Sequence, residues 1–313
     1  MNKKIVNSLV FIISAFFLVT TSLASPSQSN NAKNNVKNVD NQAVNLASVS
    51  SVAIDSKTGK TLLEKNSHIV MPIASITKVM TAMVVLDAKL PLKEKIRFTK
   101  EDKKRINNYF SRIRIGSKLS REDVLRIALM SSENLAASAL GRNYPGGISA
   151  FVKAMNKKAQ ALGMTQTRFV DSSGLSEENV STAADLAKMV QAAAKYPLIK
   201  KYSTTKVHTV NFKKPRYVLG YTNTNVLVRA GHKDIQLSKT GYLDEAGRCL
   251  VMLRKIDNKD VVMVMLDSFG KRSPVGDANR IKKWLQTGKQ GKVAKSAKNY
   301  ERMKLAYYSE QNS

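Results

Sequence analysis

The chain is poor in cysteine and histidine, and this scarcity excludes several kinds of site. Cys249 is the single cysteine, so no disulfide can form within the chain, and its strand-like surroundings predict a buried, inert thiol. His68, His208 and His232 stand far apart, without the spacing of a metal-binding pair. The sequence therefore predicts no metal, no cofactor and no Ser-His-Asp site.

Hydrophobic runs long enough to cross a membrane are also lacking. The longest apolar stretch, Leu9–Val19, is well short of the roughly 20 residues that a spanning helix needs. It follows Lys3 and Lys4 and precedes the small-residue site Ser22-Leu23-Ala24, which is the pattern of a cleaved secretory signal. Residues 1–24 are therefore predicted to be a signal peptide. We expect an exported periplasmic protein without a transmembrane anchor after cleavage.

Acidic residues are scarce, with 23 against 52 lysines and arginines, for a net charge of +29. Removing residues 1–24 takes away two lysines and no acidic residue, which lowers the charge to +27. Such a charge favours an anionic partner, either a membrane surface or a carboxylate-rich polymer. Export, together with the lack of interleaved aromatic and basic clusters, argues against nucleic acid.

The order of patterns along the chain predicts one α+β domain between two atypical ends. Residues 25–45 are rich in Asn, Ser and Gln and read as a disordered leader. Residues 46–287 begin with a hairpin, continue with helices and close with strands and a last helix. This order predicts an antiparallel sheet built from both ends of the domain and flanked by helices, with a helical lobe between them. Residues 288–313 form a basic tail, for which disorder is favoured over a weak surface-binding helix.

The stretch from Ser75 to Leu86 is the first candidate for chemistry. It is apolar all round after Lys78, apart from one threonine, which is typical of a buried helix. Ser75 and Lys78 are three positions apart, so their side chains share a helix face and can meet. A serine that merely caps the helix is the simpler interpretation. The same spacing recurs at Ser203/Lys206 and Ser268/Lys271, but neither of these begins a buried helix.

Two further triplets favour the catalytic interpretation. A lysine base must lose its proton near neutral pH, which requires burial and a second cation close by. Lys239-Thr240-Gly241 ends a predicted strand and can supply that cation, and Gly241 would let a substrate backbone approach. Ser132-Glu133-Asn134 follows a predicted helix. Each pattern occurs once more in the chain. The second Lys-Thr-Gly, at Lys57-Thr58-Gly59, lies in a polar turn, and the second Ser-x-Asn, at Ser29-Asn30-Asn31, lies in the leader.

The three motifs together resemble those of the penicillin-binding proteins and serine β-lactamases. The similarity is closest to the low-molecular-mass D-alanyl-D-alanine peptidases of the endopeptidase type, and it covers nearly the whole ordered chain. The stretches that carry it are Pro72–Leu92, Leu129–Asn134, Tyr144–Gly147, Thr167–Leu175, Asn223–Asn225 and Ile235–Met252. The resemblance implies the β-lactamase/DD-peptidase fold. The carboxypeptidases of this family carry an extra C-terminal β domain, whereas here only residues 288–313 follow the last predicted helix.

The resemblance also implies a role for each motif residue. Ser75 would be the acylated nucleophile and Lys78 its general base. Ser132 would relay a proton to the leaving amine, and Asn134 would hydrogen-bond the substrate backbone.

The strand residues would bind the other end of the substrate. Lys239 and Thr240 would hold its terminal carboxylate, and Lys239 would also lower the pKa of Lys78. The backbone N–H groups of Ser75 and Tyr242 would form the oxyanion hole. Gly241, between Thr240 and Tyr242, would also contact the substrate.

The function that follows is an exported serine DD-peptidase that cleaves D-alanyl cross-links between peptidoglycan stems and is inhibited by β-lactam antibiotics. A carboxypeptidase that trims pentapeptides is the alternative within the same chemistry. A β-lactamase would need a glutamate to hold the deacylating water, and nothing marks Glu177 or Glu178 as one. A non-catalytic wall-binding protein is the rival outside enzymes; it would not need this set of four residues together: Ser75, Lys78, Ser132 and Lys239.

Overall fold

The structure is a computed structural model, and it describes residues 44–311. The predicted signal peptide and residues 25–43 of the predicted leader lie outside the described residues. Val44, inside the predicted leader, is buried and packs with the domain core. No helix among residues 44–311 combines the length and hydropathy that a membrane span requires.

The secondary structure alternates between short sheet elements and helices. The strands are β1 Ser48–Asp55, β2 Thr61–Lys65, β3 Met71–Pro72, β4 Lys95–Arg97, β5 Lys118–Ser120, β6 Val180–Ser181, β7 Val207–Phe212, β8 Tyr217–Thr222, β9 Ile235–Leu243, β10 Gly247–Ile256 and β11 Lys259–Ser268. The helices are α1 Thr77–Asp87, α2 Lys100–Arg105, α3 Arg121–Met130, α4 Asn134–Arg142, α5 Gly147–Ala161, α6 Ala183–Ala193, α7 Pro197–Ser203, α8 Val226–Ala230, α9 Ser273–Thr287 and α10 Lys295–Gln311. A 3₁₀ turn, Ala74–Ile76, precedes α1.

The main sheet confirms the predicted α+β class. Its strand order is β2-β1-β11-β10-β9, and every neighbouring pair is antiparallel. Strand β1 from the start of the domain pairs with β11 from its end, as predicted. Strand β9 lies at one edge, so one side of it has no strand neighbour among the described residues. The Ala74–Ile76 turn contacts β9 and the neighbouring strand β10.

Alternating side chains give the sheet two buried faces. In β11, Val262, Val264 and Leu266 pack in the cluster that includes α1, whereas Met263 and Met265 pack on the opposite face. Trp284 and Ile281 of α9 cover that second face. The alternation follows from the two-residue period of a strand, and burial on both sides explains why β10 and β11 read as continuous apolar runs.

Helix α1 is the centre of the helical part. Every residue from Thr77 to Val85 is buried, as its apolar sequence predicts. It contacts α3, α4, α5, α6 and α7. A helix enclosed in this way is held rigidly, so the residues at its beginning are held in a fixed place relative to β9.

The prediction of a disordered tail was wrong for residues 295–311, which form α10. Three side chains of this helix converge on Asp267 at the end of β11. Tyr300 Oη and Tyr308 Oη donate to its carboxylate at 2.5 and 2.7 Å, and Lys304 Nζ lies 3.4 Å from it. Asp267 is fully buried. The sequence pattern hid this helix's packing because the helix is mostly polar and its partners, such as Asp267, lie far away in the sequence.

Candidate active site

Ser75 lies in the 3₁₀ turn rather than in α1 itself, which begins at Thr77. Ala74 has a positive φ of 47°, so the chain turns sharply immediately before the serine. Lys78 Nζ donates to Ser75 Oγ at 2.8 Å, which is the side-chain contact that the i, i+3 spacing predicts. The nucleophile candidate and the amine are therefore within proton-transfer distance.

Lys78 is almost fully enclosed, with 1% of its surface exposed. Its Nζ also donates to Asn134 Oδ1 at 2.7 Å and to the carbonyl of Ser173. Burial lowers the pKa of Lys78 from 10.5 to about 7, against the opposing charges of Asp171 and Glu133. An amine with such a pKa can accept a proton at neutral pH and return it.

A second serine–lysine contact faces the first. Lys239 Nζ in β9 donates to Ser132 Oγ at 2.8 Å and to the carbonyl of Thr240 at 2.6 Å. Burial holds the pKa of Lys239 well below its usual value, and repulsion from Lys78 lowers it further. From the sequence we expected this repulsion to lower the pKa of Lys78. In the structure, burial is the leading cause of the lowered pKa of Lys78.

Ser132 is held in an unusual backbone conformation between α3 and α4. Its φ is +61°, which costs a non-glycine residue about 1 kcal/mol or more. From this junction Ser132 Oγ accepts from Lys239, and Asn134, the first residue of α4, accepts from Lys78. The amide of Asn134, expected to bind substrate backbone, contacts Lys78 here, and its nitrogen is the group left to reach a substrate.

Gly241 allows β9 to approach the turn that carries Ser75. A Cβ at this position would lie 3.1 Å from the Ile73 carbonyl oxygen and 3.2 Å from Ser75 N. Any side chain would therefore push the strand away from the nucleophile. The expected oxyanion-hole partners, Ser75 and Tyr242, come from these two neighbouring segments. The side chain of Tyr242 is 47% exposed at the rim, with the Arg248 guanidinium 3.5 Å from its ring centre.

Sequence reasoning missed two contributors to the site. Asp171 organises the loop that contacts Lys78, because its Oδ1 accepts from the N–H groups of Ser173 and Gly174. A Cβ at Gly174 would lie 2.0 Å from the Ala74 carbonyl oxygen, so this loop packs directly under the nucleophile turn. The Asp-Ser-Ser-Gly run is the signal that could have indicated a tight turn. The other is Thr224, whose hydroxyl accepts from Thr240 Oγ1 at 2.6 Å.

The histidines take part in other contacts. His208 lies 2.9 Å from the Asp123 carboxylate, His68 lies 3.2 Å from that of Glu64, and His232 lies near Asp234. Within residues 44–311 there is no group of three or more metal-binding side chains. At Ser75 the contacts are those of a hydroxyl beside a buried amine of lowered pKa.

Comparison with known proteins places this arrangement in context. A family model described as D-alanyl-D-alanine carboxypeptidase matches residues 35–270. A D-alanyl-D-alanine endopeptidase of Pseudomonas aeruginosa is 51% identical over 255 residues, which are 82% of each chain. The crystal structure of the Streptomyces K15 DD-transpeptidase superposes with a TM-score of 0.72 at 27% identity, covering 84% of this chain and 99% of that one. Penicillin-binding protein D2 of Listeria monocytogenes, in a cefotaxime-bound form, gives a TM-score of 0.66 at 27% identity and covers 77% and 97%.

Proposed function

The chain belongs to the D-alanyl-D-alanine carboxypeptidase family of serine DD-peptidases, and from this premise we propose that it cleaves D-alanyl cross-links through an acyl-enzyme on Ser75. The observation that carries the proposal is the contact between Lys78 Nζ and Ser75 Oγ at 2.8 Å, with the lysine buried and its pKa lowered to about 7. The family acts on peptidoglycan peptides, and the half-identical Pseudomonas relative bears the name endopeptidase.

In the first step, neutral Lys78 takes the hydroxyl proton while Ser75 Oγ bonds to the D-alanyl carbonyl carbon. Negative charge develops on the carbonyl oxygen, and the N–H groups of Ser75 and Tyr242 stabilise it there. The C–N bond then breaks, and the amine leaves with a proton relayed through Ser132. Water subsequently attacks the ester and releases Ser75, with Lys78 again accepting a proton.

The carboxylate beside the scissile bond binds at the end of β9. Thr240 is partly exposed there, and its hydroxyl, which donates to Thr224 Oγ1 at 2.6 Å, turns to donate to the carboxylate when substrate binds. Lys239 is 1% exposed and contacts Ser132 Oγ, so it acts on the carboxylate mainly through its charge and through Ser132. Asn134 supplies its amide nitrogen to the substrate backbone.

Two rivals are less well supported by the contacts. A β-lactamase needs a carboxylate that holds the deacylating water, but Glu177 and Glu178 are exposed, and Glu178 lies 3.3 Å from Arg168. Asp171 is occupied by the backbone N–H groups of its own loop. A non-catalytic wall-binding protein would have no reason to keep a lysine buried at the cost of its charge.

A β-lactam bound covalently to Ser75 would inhibit the enzyme.

The proposed place of action is the periplasm. The pattern of residues 1–24 supports export, and a charge of +27 after cleavage supports attraction to the carboxylates of the wall. A protein not confined to the inner membrane can reach cross-links within the wall, whereas uncrosslinked pentapeptide is made at the membrane surface. This favours the endopeptidase over the carboxypeptidase.

Digestion of purified muropeptides tests the proposal. We expect cross-linked dimers to be converted to monomers faster than terminal D-Ala is removed from monomeric pentapeptide. Ser75→Ala, folded by circular dichroism, is the control and should do neither. If pentapeptide is the better substrate, the carboxypeptidase function replaces the endopeptidase function.

A further inference from the structure

A polar cavity of about 310 Å³ lies beside the catalytic cluster, on the side of Ser132 and Thr240. Ser131 and Glu133, the two neighbours of Ser132 in sequence, contribute to its wall. Thr224 lines it too and hydrogen-bonds to Thr240 at 2.6 Å. The cavity thus continues from the point where the leaving group's carboxylate would bind.

Two arginines give the cavity its charge. Arg112 donates to the carbonyl of Gly220 at 2.7 Å, and Arg229 donates to the carbonyls of Asn223 and Thr224. A guanidinium has five N–H donors, so these contacts leave several donors on each arginine. Glu133 offsets one positive charge, and the cavity keeps a net positive charge. Paired N–H donors of this kind suit a carboxylate.

Tyr221 adds a buried group that lacks a partner. The residue is 3% exposed and lines the cavity, and its hydroxyl has no hydrogen-bond partner in the described part of the chain. Arg112 stacks over its ring, with 5.0 Å between guanidinium carbon and ring centre. A buried unpaired hydroxyl is costly, so its persistence here points to a polar ligand or to water that the ligand displaces.

The chemistry of the leaving group decides what could fill this cavity. When terminal D-Ala leaves, only a methyl group extends beyond the carboxylate and the amine. When a cross-link is cut, the leaving amine belongs to the diamino residue of a second stem peptide, whose remaining residues carry further free carboxylates. Only the cross-linked substrate can therefore place a carboxylate between the two arginines.

We propose that this cavity is a subsite for the second stem peptide, in which Arg112 and Arg229 bind one of its carboxylates and so favour cross-links over terminal D-Ala. The inference rests on the proposed endopeptidase function and assigns the residues that set its preference. Tyr221 donates its hydroxyl to the same ligand or to a water that it holds.

The test compares three substrates of the full-length enzyme: a cross-linked dimer, the same dimer with the carboxylates of its second stem amidated, and monomeric pentapeptide. We expect the wild-type enzyme to prefer the free dimer to the amidated one. Arg112→Gln and Arg229→Gln should each lower kcat/KM for the free dimer about tenfold, in line with the loss of a charged hydrogen bond. Their effect on the amidated dimer, on pentapeptide and on penicillin acylation should stay within about twofold of wild type, given the loss of a surface charge only.

Two further variants distinguish binding of the second stem peptide from a purely structural role of the side chains that line the cavity. Arg114→Gln is the matched control, because Arg114 is exposed and stacks on Tyr217 at 4.9 Å but does not line the cavity. It should leave all three rates unchanged. Tyr221→Phe removes only the unpaired hydroxyl, and it should lower free-dimer cleavage several-fold without lowering the melting temperature.

The outcomes distinguish this inference from the function on which it rests. A wild-type enzyme that cleaves no dimer overturns both. Efficient cleavage of dimers with no difference between free and amidated forms overturns the subsite alone. So does an equal loss on all substrates in the arginine variants, which would show that these side chains only brace the β8–α8 loop.

Discussion

The chain contains the letters Lys-Thr-Gly twice, and the two copies have little else in common. Lys57-Thr58-Gly59 is exposed in the turn between β1 and β2, where Lys57 N and Thr58 N donate to Asp55. Lys239-Thr240-Gly241 lies in edge strand β9, with Lys239 1% exposed and hydrogen-bonded to Ser132. The same side chains are solvated in one place and form part of the reactive cluster in the other. Burial and neighbours, rather than residue type, create the chemistry.

The two glycines make the same point about backbone. Gly59 has a φ of +73°, and the nearest atom to a Cβ built on it is 4.0 Å away, so it is needed for its conformation. Gly241 is needed for space, because a Cβ would lie 3.1–3.2 Å from atoms of the nucleophile turn. One substitution would strain a turn, and the other would move a strand away from a reacting atom.

The largest effect that would sharpen this contrast concerns the serines of the repeated Ser-x-x-Lys spacing. Ser75→Ala should abolish covalent labelling by fluorescent penicillin, since Ser75 contacts the lysine of its own Ser-x-x-Lys pair, and that lysine is buried with a lowered pKa. Ser203→Ala is the matched control, because Ser203 is buried and donates to the carbonyl of Lys200. It should label normally. Peptide mapping that finds the label on Ser203 or Ser268 would contradict the assignment.

The next effect concerns the two lysines of the repeated triplet. Lys239→Gln should slow acylation about a hundredfold, since it removes a charge and disturbs the proton relay. Acylation needs neutral Lys78, so the wild-type rate should rise with pH through the pKa of Lys78 at about 7. If repulsion from Lys239 also lowers the pKa of Lys78, as expected from the sequence, this substitution moves the midpoint to higher pH. Measuring the penicillin acylation rate against pH checks both parts.

Lys57→Gln is the control, because Lys57 is exposed in the β1–β2 turn. It should change neither the rate nor the midpoint. An unmoved midpoint in Lys239→Gln would mean that burial alone sets the pKa of Lys78 and that Lys239 acts only on the substrate's carboxylate.

Substituting the two glycines should give smaller effects, on activity at Gly241 and on stability at Gly59. Gly241→Ala should reduce acylation about tenfold by widening the gap between β9 and Ser75, a loss typical of one displaced oxyanion-hole donor or less. Gly59→Ala should leave acylation unchanged and lower the melting temperature by a few degrees, the effect of about 1 kcal/mol of backbone strain. Acylation rates and thermal unfolding of both variants check this. Equal activity losses in the two variants would remove the distinction drawn between space and conformation.

Much of the fold was accessible from sequence because its signals are local. The apolar period identified β10, β11 and α1, and the order of elements gave the antiparallel sheet that β1 and β11 close. The second strand of the β7–β8 hairpin was missed, since its sequence Tyr-Val-Leu-Gly-Tyr-Thr does not alternate apolar and polar residues, and the apolar Val218 is exposed. Helix α10 was missed because its packing depends on the long-range contact with Asp267.

The site was accessible in its motifs but not in its geometry. The spacing of Ser75 and Lys78 predicts their contact, because it is a property of one helical turn. The contact between Lys239 and Ser132 joins residues more than a hundred positions apart, and the sequence did not predict it. Asp171 supports the loop under Lys78 through backbone N–H groups; the Asp-Ser-Ser-Gly run could have indicated the turn but not its place under the lysine.

The smallest effect separates exposed charge from buried charge. Lys57 represents the exposed basic residues, which salt screens as the Debye length falls from about 30 Å at 0.01 M to about 8 Å at 0.15 M. Lys239 and Lys78 are each 1% exposed and are screened much less. Binding of the Ser75→Ala enzyme to peptidoglycan sacculi, measured by sedimentation without digestion, should therefore weaken several-fold over this range. Penicillin acylation of the wild-type enzyme should change by less than about twofold, since its charged partners are buried. Sacculus binding that ignores salt would mean that specific contacts, rather than the basic surface, hold the enzyme on the wall.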